Sequence, residues 1–519
     1  MKNYIINKAS LICGLLIPIV VQAQEASKPF VNQTAIEFTK AKSLWFNTNN
    51  AAGFSIIPLI DHSEVSASYL FQKGDYKRQQ QGDSEKDVKF NANGALALKD
   101  AFLWGSFTFS NIAVDGSRFN TILFDPFRDM PYYVADSVQS EWKKQLYDLR
   151  LKASTPLLWN RIAFGCELDY ITKTGAKQND PRSTSYYYSI SARPSLLYKI
   201  NDKNYIGVNG LYENMFERTV PTISNTQQNQ PVFIMRGLGN YSSGSVGGQG
   251  GIGIFYYKSN KIGGGVQYGY QGSINVLLDV KGHYKVEDAF QSPTKPQRMG
   301  STEQLLVNGN LQVLLAGDYT HKFTFDYMDK STDGIEYIQV IDNSYEVQKW
   351  VTIEKYVRSN YSFKGASFAY DLFRGSDKGY SWRAGLVSQY SNMNDEYYLP
   401  KSKFNAENIN ASVFAKKNLV IGKQGLLLFG LNLGYSSNIS GEFIYTGADP
   451  NSVIIEEFYK KDLAYLTSDY YSAGLNFNYS LALEKSNTAL FVAGDCQVIK
   501  PTEGSDNRVN AVFSVGFTF

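Results

Sequence analysis

The feature that most constrains this chain is an alternation of apolar and polar residues that recurs in segment after segment and continues to the last residue. Successive side chains of a β-strand point to opposite faces, so residues i, i+2 and i+4 share one face. Tyr147, Leu149, Leu151 and Ala153 lie on one face, with Asp148, Arg150 and Lys152 on the other. After Pro156–Asn160 come Ile162, Phe164, Cys166, Leu168 and Tyr170, set against Glu167 and Asp169. Tyr471, Ala473, Leu475, Phe477, Tyr479 and Leu481 alternate with serine, glycine and asparagine. The carboxyl terminus repeats the pattern, with Val509, Ala511, Phe513, Val515, Phe517 and Phe519 on one face. A soluble sandwich shows a few such strands. Here there are enough for a wall whose two faces meet different media. The composition agrees, with 37 Tyr, 32 Phe and 43 Gly but only 43% hydrophobic residues. Charge is nearly balanced, 51 Lys and Arg against 48 Asp and Glu, which argues against a nucleic-acid protein or an acidic disordered chain.

The connections carry the second signal. Short ones occur near Lys99-Asp100, 156–160, 201–204, Ser259-Asn260, 316–318, 374–379, 418–424 and 485–487. Longer polar stretches lie near 73–87, 111–144, 172–184, 218–248, 276–301, 332–357, 394–405, 438–468 and 501–507. Short turns at one end and long loops at the other describe an outer-membrane barrel. Eight short and nine long connections give 18 strands, with 14 or 16 as the alternatives. The expected fold is therefore all-β, a transmembrane antiparallel β-barrel, because only helices and closed barrels satisfy the backbone in lipid. Blurred alternation makes 251–275 and 335–373 the least defined stretches.

The amino terminus reads as an address. Lys2 and Lys8, the apolar run Leu11–Val21 and the cleavage site Val21-Gln22-Ala23 make residues 1–23 a secretory signal peptide, too short to span a membrane. Residues 24–63 form an amino-terminal segment, with a helix expected over 35–46, that serves as a small hatch. Residues 64–519 form the barrel with long extracellular loops. A TonB-type plug needs a much longer segment. Cys166 and Cys496 could pair, but the preferred reading is two small residues of the wall.

Two groups of residues are candidates for function. Asp148, Arg150, Lys152, Glu167, Asp169, Lys322, Asp326 and Arg383 are expected to face the lumen, either selecting solutes or pairing with each other. Pairing across 156–160 is expected to set Arg150 against Glu167 and Asp148 against Asp169. The stretch 111–144 carries Phe119, Phe124, Phe127, Arg128, Tyr132 and Tyr133, more aromatic surface than a solvated loop needs. It constricts the lumen, docks a partner, or packs against neighbouring loops. His62 falls in the lead-in, His283 in a loop, and His321 at an interfacial girdle. They suggest no catalytic triad and no metal spacing, so no enzyme, cofactor or metal site is expected, an outer-membrane enzyme being the minor alternative. The glycine runs 247–253 and 263–265 lack the Lys-Ser/Thr ending of a phosphate loop.

Asn50-Ala51-Ala52-Gly53 resembles the Asn-Pro-Ala segment near the start of FadL-like hydrophobic-compound channels, without its proline. Phe513, Phe517 and Phe519 resemble the terminal strand read by the barrel assembly machinery. Residues 45–53 and 125–136, with the terminal Phe, resemble a Bacteroidota outer-membrane barrel family of unassigned function. That resemblance implies an accessory role beside a TonB-dependent receptor or a surface lipoprotein. The expected function is passive passage of a nutrient or small molecule across the bacterial outer membrane, with outer-membrane lipid as surroundings and no nucleic acid. The alternative is a closed barrel that acts as a docking subunit.

Overall fold

The computed structural model describes residues 32–519 except 226, 248–250, 293, 345–347, 377–378, 484–486 and 505. The expected signal peptide lies outside the described residues. The chain enters through helix α1 (Gln33–Lys42) and two single-turn 3-10 helices, Leu44–Asn47 and Ala51–Ser55. The first strands are β1 (His62–Lys73), β2 (Ser84–Leu98), β3 (Ala101–Ser117), the short β4 (Val134–Ala135), β5 (Ser140–Ser154), β6 (Ile162–Lys177), β7 (Arg182–Lys199) and β8 (Asn204–Thr222). A hairpin of β9 (Gln230–Gly237) and β10 (Asn240–Val246) follows, then β11 (Phe255–Tyr270), β12 (Ile274–Gln291), β13 (Gln297–Leu315), β14 (Tyr319–Asp342), β15 (Lys349–Ser376) and β16 (Gly379–Tyr397). The chain continues through β17 (Ser402–Ile421) and β18 (Gly425–Tyr445) to a π-helical turn, Ile454–Tyr459, that runs into α2 (Lys460–Leu466). It finishes with β19 (Tyr470–Ala482), β20 (Ala489–Pro501) and β21 (Arg508–Thr518).

Eighteen of these strands form one antiparallel sheet. It closes where β1 pairs with β21, from Glu64 opposite Thr518 to Lys73 opposite Val509. Closure leaves no unpaired strand edge, the condition for crossing lipid. The fold is thus the expected all-β transmembrane barrel with 18 strands. β4, β9 and β10 form a separate three-stranded sheet in the loops. No described helix is long and apolar enough to cross a membrane.

Side-chain parity follows the sequence pattern. Leu149, Leu151, Phe164, Leu168, Tyr170, Leu475 and Phe477 are exposed on the outer face. The terminal Phe513, Phe517 and Phe519 are exposed on the same face. Cys166 and Cys496 are unbonded. They sit in strands that are not neighbours in the sheet.

Three local expectations fail. Ser259-Asn260 is no turn but lies within β11, and the turn follows Tyr270. Gly263–Gly265 interrupt the alternation there, because glycine carries no side chain to mark a face. His283 therefore lies on β12, not in a loop. The β5–β6 register is displaced by two residues, so Arg150 faces Asp169, Lys152 faces Glu167 and Asp148 faces Ile171. An even slip preserves every inward and outward assignment, whereas an odd one inverts them all. Finally, several stretches expected as loops are paired strand. β14 and β15 run for 24 and 28 residues. A tilted strand needs about 9–11 to cross the bilayer, so this pair projects well beyond it.

Candidate functional site

The lumen is occupied at both mouths by the chain's own segments. At the short-turn mouth, Asn32 caps α1 by accepting the Ala35 amide at 2.8 Å. Phe38 of α1 packs on Phe373 at 5.4 Å between ring centres, beside Tyr380. The Glu37 carboxylate accepts the Tyr380 hydroxyl at 2.6 Å and Arg383 at 3.4 Å, and pairs with Lys416 at 3.2 Å. Burial pushes the Glu37 pKa up, but Lys416, the Tyr380 hydroxyl and Arg383 outweigh it and hold the carboxyl below its ordinary value.

Trp45 and the 51–55 turn sit against small residues of the wall. A Cβ at Gly165 would lie 2.2 Å from the Ala52 nitrogen, and one at Gly269 would lie 2.8 Å from the Trp45 ring. Asn50 donates to Gln267 at 2.9 Å, and the Ala52 amide donates to Ser195 at 3.3 Å. The segment Asn50–Gly53 is thus a wall contact whose glycine fits under Trp45.

The expected lumen charges all lie on the inner face, but they do not form one selective ring. Three hold the amino-terminal segment. Lys152 donates to the Phe46 and Thr48 carbonyls at 3.0 and 3.1 Å, Lys322 to the Ala41 carbonyl at 3.1 Å, and Arg383 to Glu37. Arg383 also pairs with Asp371 at 2.6 Å. The others are held by neighbours along the wall. Arg150 pairs with Asp148 at 2.7 Å, and Arg193 bridges Glu167 at 3.0 Å and Asp169 at 2.5 Å. Asp326 accepts from Asn310 at 2.6 Å.

At the long-loop mouth, residues 118–139 fold inward. Arg128 inserts between Glu217 of β8 and Glu287 of β12, 3.1 Å from the latter, with its guanidinium 4.5 Å above the Tyr257 ring. Both carboxylates are buried, at 0% and 1% exposure. Glu217 also accepts the Phe124 amide and the Ser185 hydroxyl, each at 2.8 Å. Thr219 donates to the Ile122 carbonyl at 2.8 Å. Lys177 pairs with Asp136 at 3.0 Å, and Lys330 with Asp129 at 2.5 Å.

Of the aromatic residues expected to constrict or dock, Phe119, Phe124, Tyr132 and Tyr133 are buried, while Phe127 is exposed. Tyr132 covers Gly300, where a Cβ would lie 2.4 Å from its ring. Phe119 stacks on Phe458 of the π-helical turn at 5.0 Å, and the β9–β10 hairpin adds Val232, Met235 and Val246 to the same cluster. Gln80 donates to the Tyr133 hydroxyl at 3.1 Å, and burial raises that phenol's pKa well above its ordinary value. Asp462 of α2 pairs with Arg78 at 2.8 Å. Four of the five aromatic side chains are therefore spent on packing within the molecule, and as folded they are not free to dock a partner.

Sequence reading missed the partners of Arg128. Glu217 and Glu287 show no pattern beyond strand parity, and only the fold brings them together. Between the plugs, a cavity of about 320 Å³ opens beside Asn49, Asn209, Lys281, His283 and Asn308. The histidines stand apart, with His62 at the Ile60 carbonyl, His283 at Gln304 and His321 at Tyr370. Among the described residues no cluster of His, Cys, Asp and Glu is arranged to hold a metal.

Solved structures with a similar outline include the ferric preacinetobactin receptor BauA from Acinetobacter baumannii, 10% identical over 88% of this chain and 80% of that one, with a TM-score of 0.41. The outer membrane transporter YddB from Escherichia coli is 8% identical over 88% and 80%, at 0.39. OpdK from Pseudomonas aeruginosa, solved with vanillate, is 9% identical over 89% and 99%, at 0.33. Scores this low say nothing about the activity of this chain. A comparison with curated proteins found no match. One family model matches residues 51–519, nearly the whole barrel, and the chain therefore belongs to that family, a family of unknown function (DUF6850).

Proposed function

We propose that this protein is a bacterial outer-membrane channel for a small solute, exported by residues 1–23 and held shut at rest by two of its own segments. The short turns face the periplasm and the long loops the exterior, as in other barrels of this kind. Eighteen strands enclose far more space than their own side chains fill, so an aqueous path exists wherever the plugs do not lie. The observation that carries the reading is Arg128. It is a single side chain, presented by a loop, and it satisfies two buried carboxylates on different strands of the wall. It joins Lys177–Asp136 and Lys330–Asp129 in tying the loop to the wall, and it engages two strands at once. The chemistry proposed is passage alone, with no reaction and no cofactor.

The test is single-channel conductance in planar bilayers. Wild-type protein is expected to be silent or to open briefly, and Arg128→Ala or a shortened 118–139 loop, each also lacking residues 24–61, is expected to open for long periods. Folded variants that remain silent would remove the channel reading.

The projecting β14–β15 pair favours a second reading, a closed docking subunit. Ile338, Val340 and Ile353 are exposed on it, at 48%, 45% and 64%. A surface lipoprotein or a TonB-dependent receptor would dock there. In that case replacing these residues with Ser abolishes recovery of a complex, and loop variants conduct nothing.

A further inference from the structure

We infer that the solute is an uncharged, hydroxyl-rich compound of the saccharide or polyol class. This inference rests on the channel reading and adds the substrate to it. It comes from how the inner wall divides into two arcs.

From β5 round to β14 the inward side chains are heavily charged and most of them are paired, while Lys144 and Lys322 are held by backbone carbonyls and Asp326 by Asn310. Besides the pairs described above, Lys261 meets Glu213 at 2.8 Å, Lys285 meets Glu287 at 2.7 Å and Lys281 meets Asp279 at 3.6 Å. A charged solute would have to displace a partner at most of these positions. Selection for charge needs a biased ring.

From β17 round to β1 the middle of the inner wall is amide and hydroxyl. The register places Asn410 beside Ser436, Asn476 beside Asp495 and Asn510 beside Gln497. Asn432 and Asn478 share that face, since the alternate residues Leu431, Leu433, Leu475 and Phe477 are exposed outside. Ser68 and Ser514 meet across the closing strands at 2.8 Å, and Ser480 donates to Asn478 at 2.8 Å. The charge in the middle of this arc is Asp495. Most hydrogen bonds that hold the amino-terminal segment run to other strands, among them β5, β7, β11, β14 and β16, and on this arc Lys416 and Asn418 near the short-turn end of β17 also hold it.

The chemistry of such a wall is symmetric. An asparagine amide or a serine hydroxyl both donates and accepts. A sugar hydroxyl does the same, so it can exchange each bond to water for one to the wall. A carboxylate accepts only and an ammonium donates only; in the middle of this arc an anion stripped of water meets no counter-charge, and a cation meets Asp495 alone.

The test is efflux of glucose, glucuronate and glucosamine, matched in size, from proteoliposomes. It uses the barrel opened in two ways, by Arg128→Ala and by a shortened 118–139 loop, each also lacking residues 24–61. Folding is checked by the mobility shift on heating before electrophoresis. Glucose is expected to leave at least about fivefold faster than either ion, a preference set by the neutral wall. Asn432→Asp with Asn476→Asp is expected to favour glucosamine over glucuronate by about tenfold. Equal rates, a faster ion, or selectivity that the two substitutions do not move would overturn this inference and leave the channel standing. Silence for all three solutes in folded, opened barrels would overturn the channel and this inference with it.

Discussion

Arg128 is the residue whose removal the structure makes most consequential. Replacing it with Ala leaves the buried Glu217 without a counter-charge and leaves Glu287 with Lys285 alone. Breaking a buried charge network by removing one partner costs about 3–5 kcal/mol. The wall is expected to survive that loss and the loop to detach, seen as new protease cleavage within 118–139 at unchanged barrel mobility. Arg128→Lys should release the loop nearly as well, since one ammonium lacks the fork that reaches both acids. Glu37 gives a pH dependence. Its carboxyl titrates below the ordinary 4.5 when α1 is seated, so the seated state gains stability above that value and loses it as pH falls through the lowered pKa. Protease access to residues 32–61 should therefore rise on acidification below about pH 4.5, and Glu37→Gln should show that access already at neutral pH. At this level the sequence was informative about parity and silent about partners. Lys152, Lys322 and Arg383 were expected to point inward, and nothing in their spacing showed that they would hold carbonyls and a carboxylate of the amino-terminal segment.

Elements are where the expectation and the molecule part most visibly. Strand identity was legible because period two is enforced by two different solvents, lipid outside and water or plug inside. The turn placed at Ser259-Asn260 failed where Gly263–Gly265 erase the pattern, and the β5–β6 register failed because turn length, not parity, sets it. The inward fold of 118–139 was one of three open readings. Aromatic content alone cannot separate a loop packed in a lumen from one packed on a partner. The fit of the amino-terminal segment was not legible at all, because inner-wall glycines read as weak strand. They supply a prediction. Gly165→Val would place a Cβ about 2.2 Å from the Ala52 backbone nitrogen, which cannot give way as a flexible side chain can. The 51–55 turn should be expelled while β6 keeps its pairing, detected as protease access to the segment without loss of the folded barrel's gel mobility.

The whole molecule is a closed ring, and its stability should behave as one. β21 pairs with both β1 and β20, so removing residues 508–519 opens two ladders and exposes strand edges to lipid. A chain truncated there is expected to show no heat-dependent mobility shift, whereas Phe519→Ala alone, an outer-face change, should retain it. The 18-strand closed barrel was legible as a class from strand count and connection lengths. The state of its lumen was not, because plugging depends on contacts between segments hundreds of residues apart.

That state is best measured by the reach of a membrane-impermeant thiol reagent into the middle of the lumen. With Cys166 and Cys496 replaced by Ala, a single cysteine at Asn476→Cys lies on the inner face in the middle of β19. In proteoliposomes its labelling is predicted to be slow, and to become fast when Arg128→Ala frees the loop or when residues 24–61 are removed. Rapid labelling of the otherwise unaltered protein would show an open path past both segments and contradict a barrel held shut by its own chain.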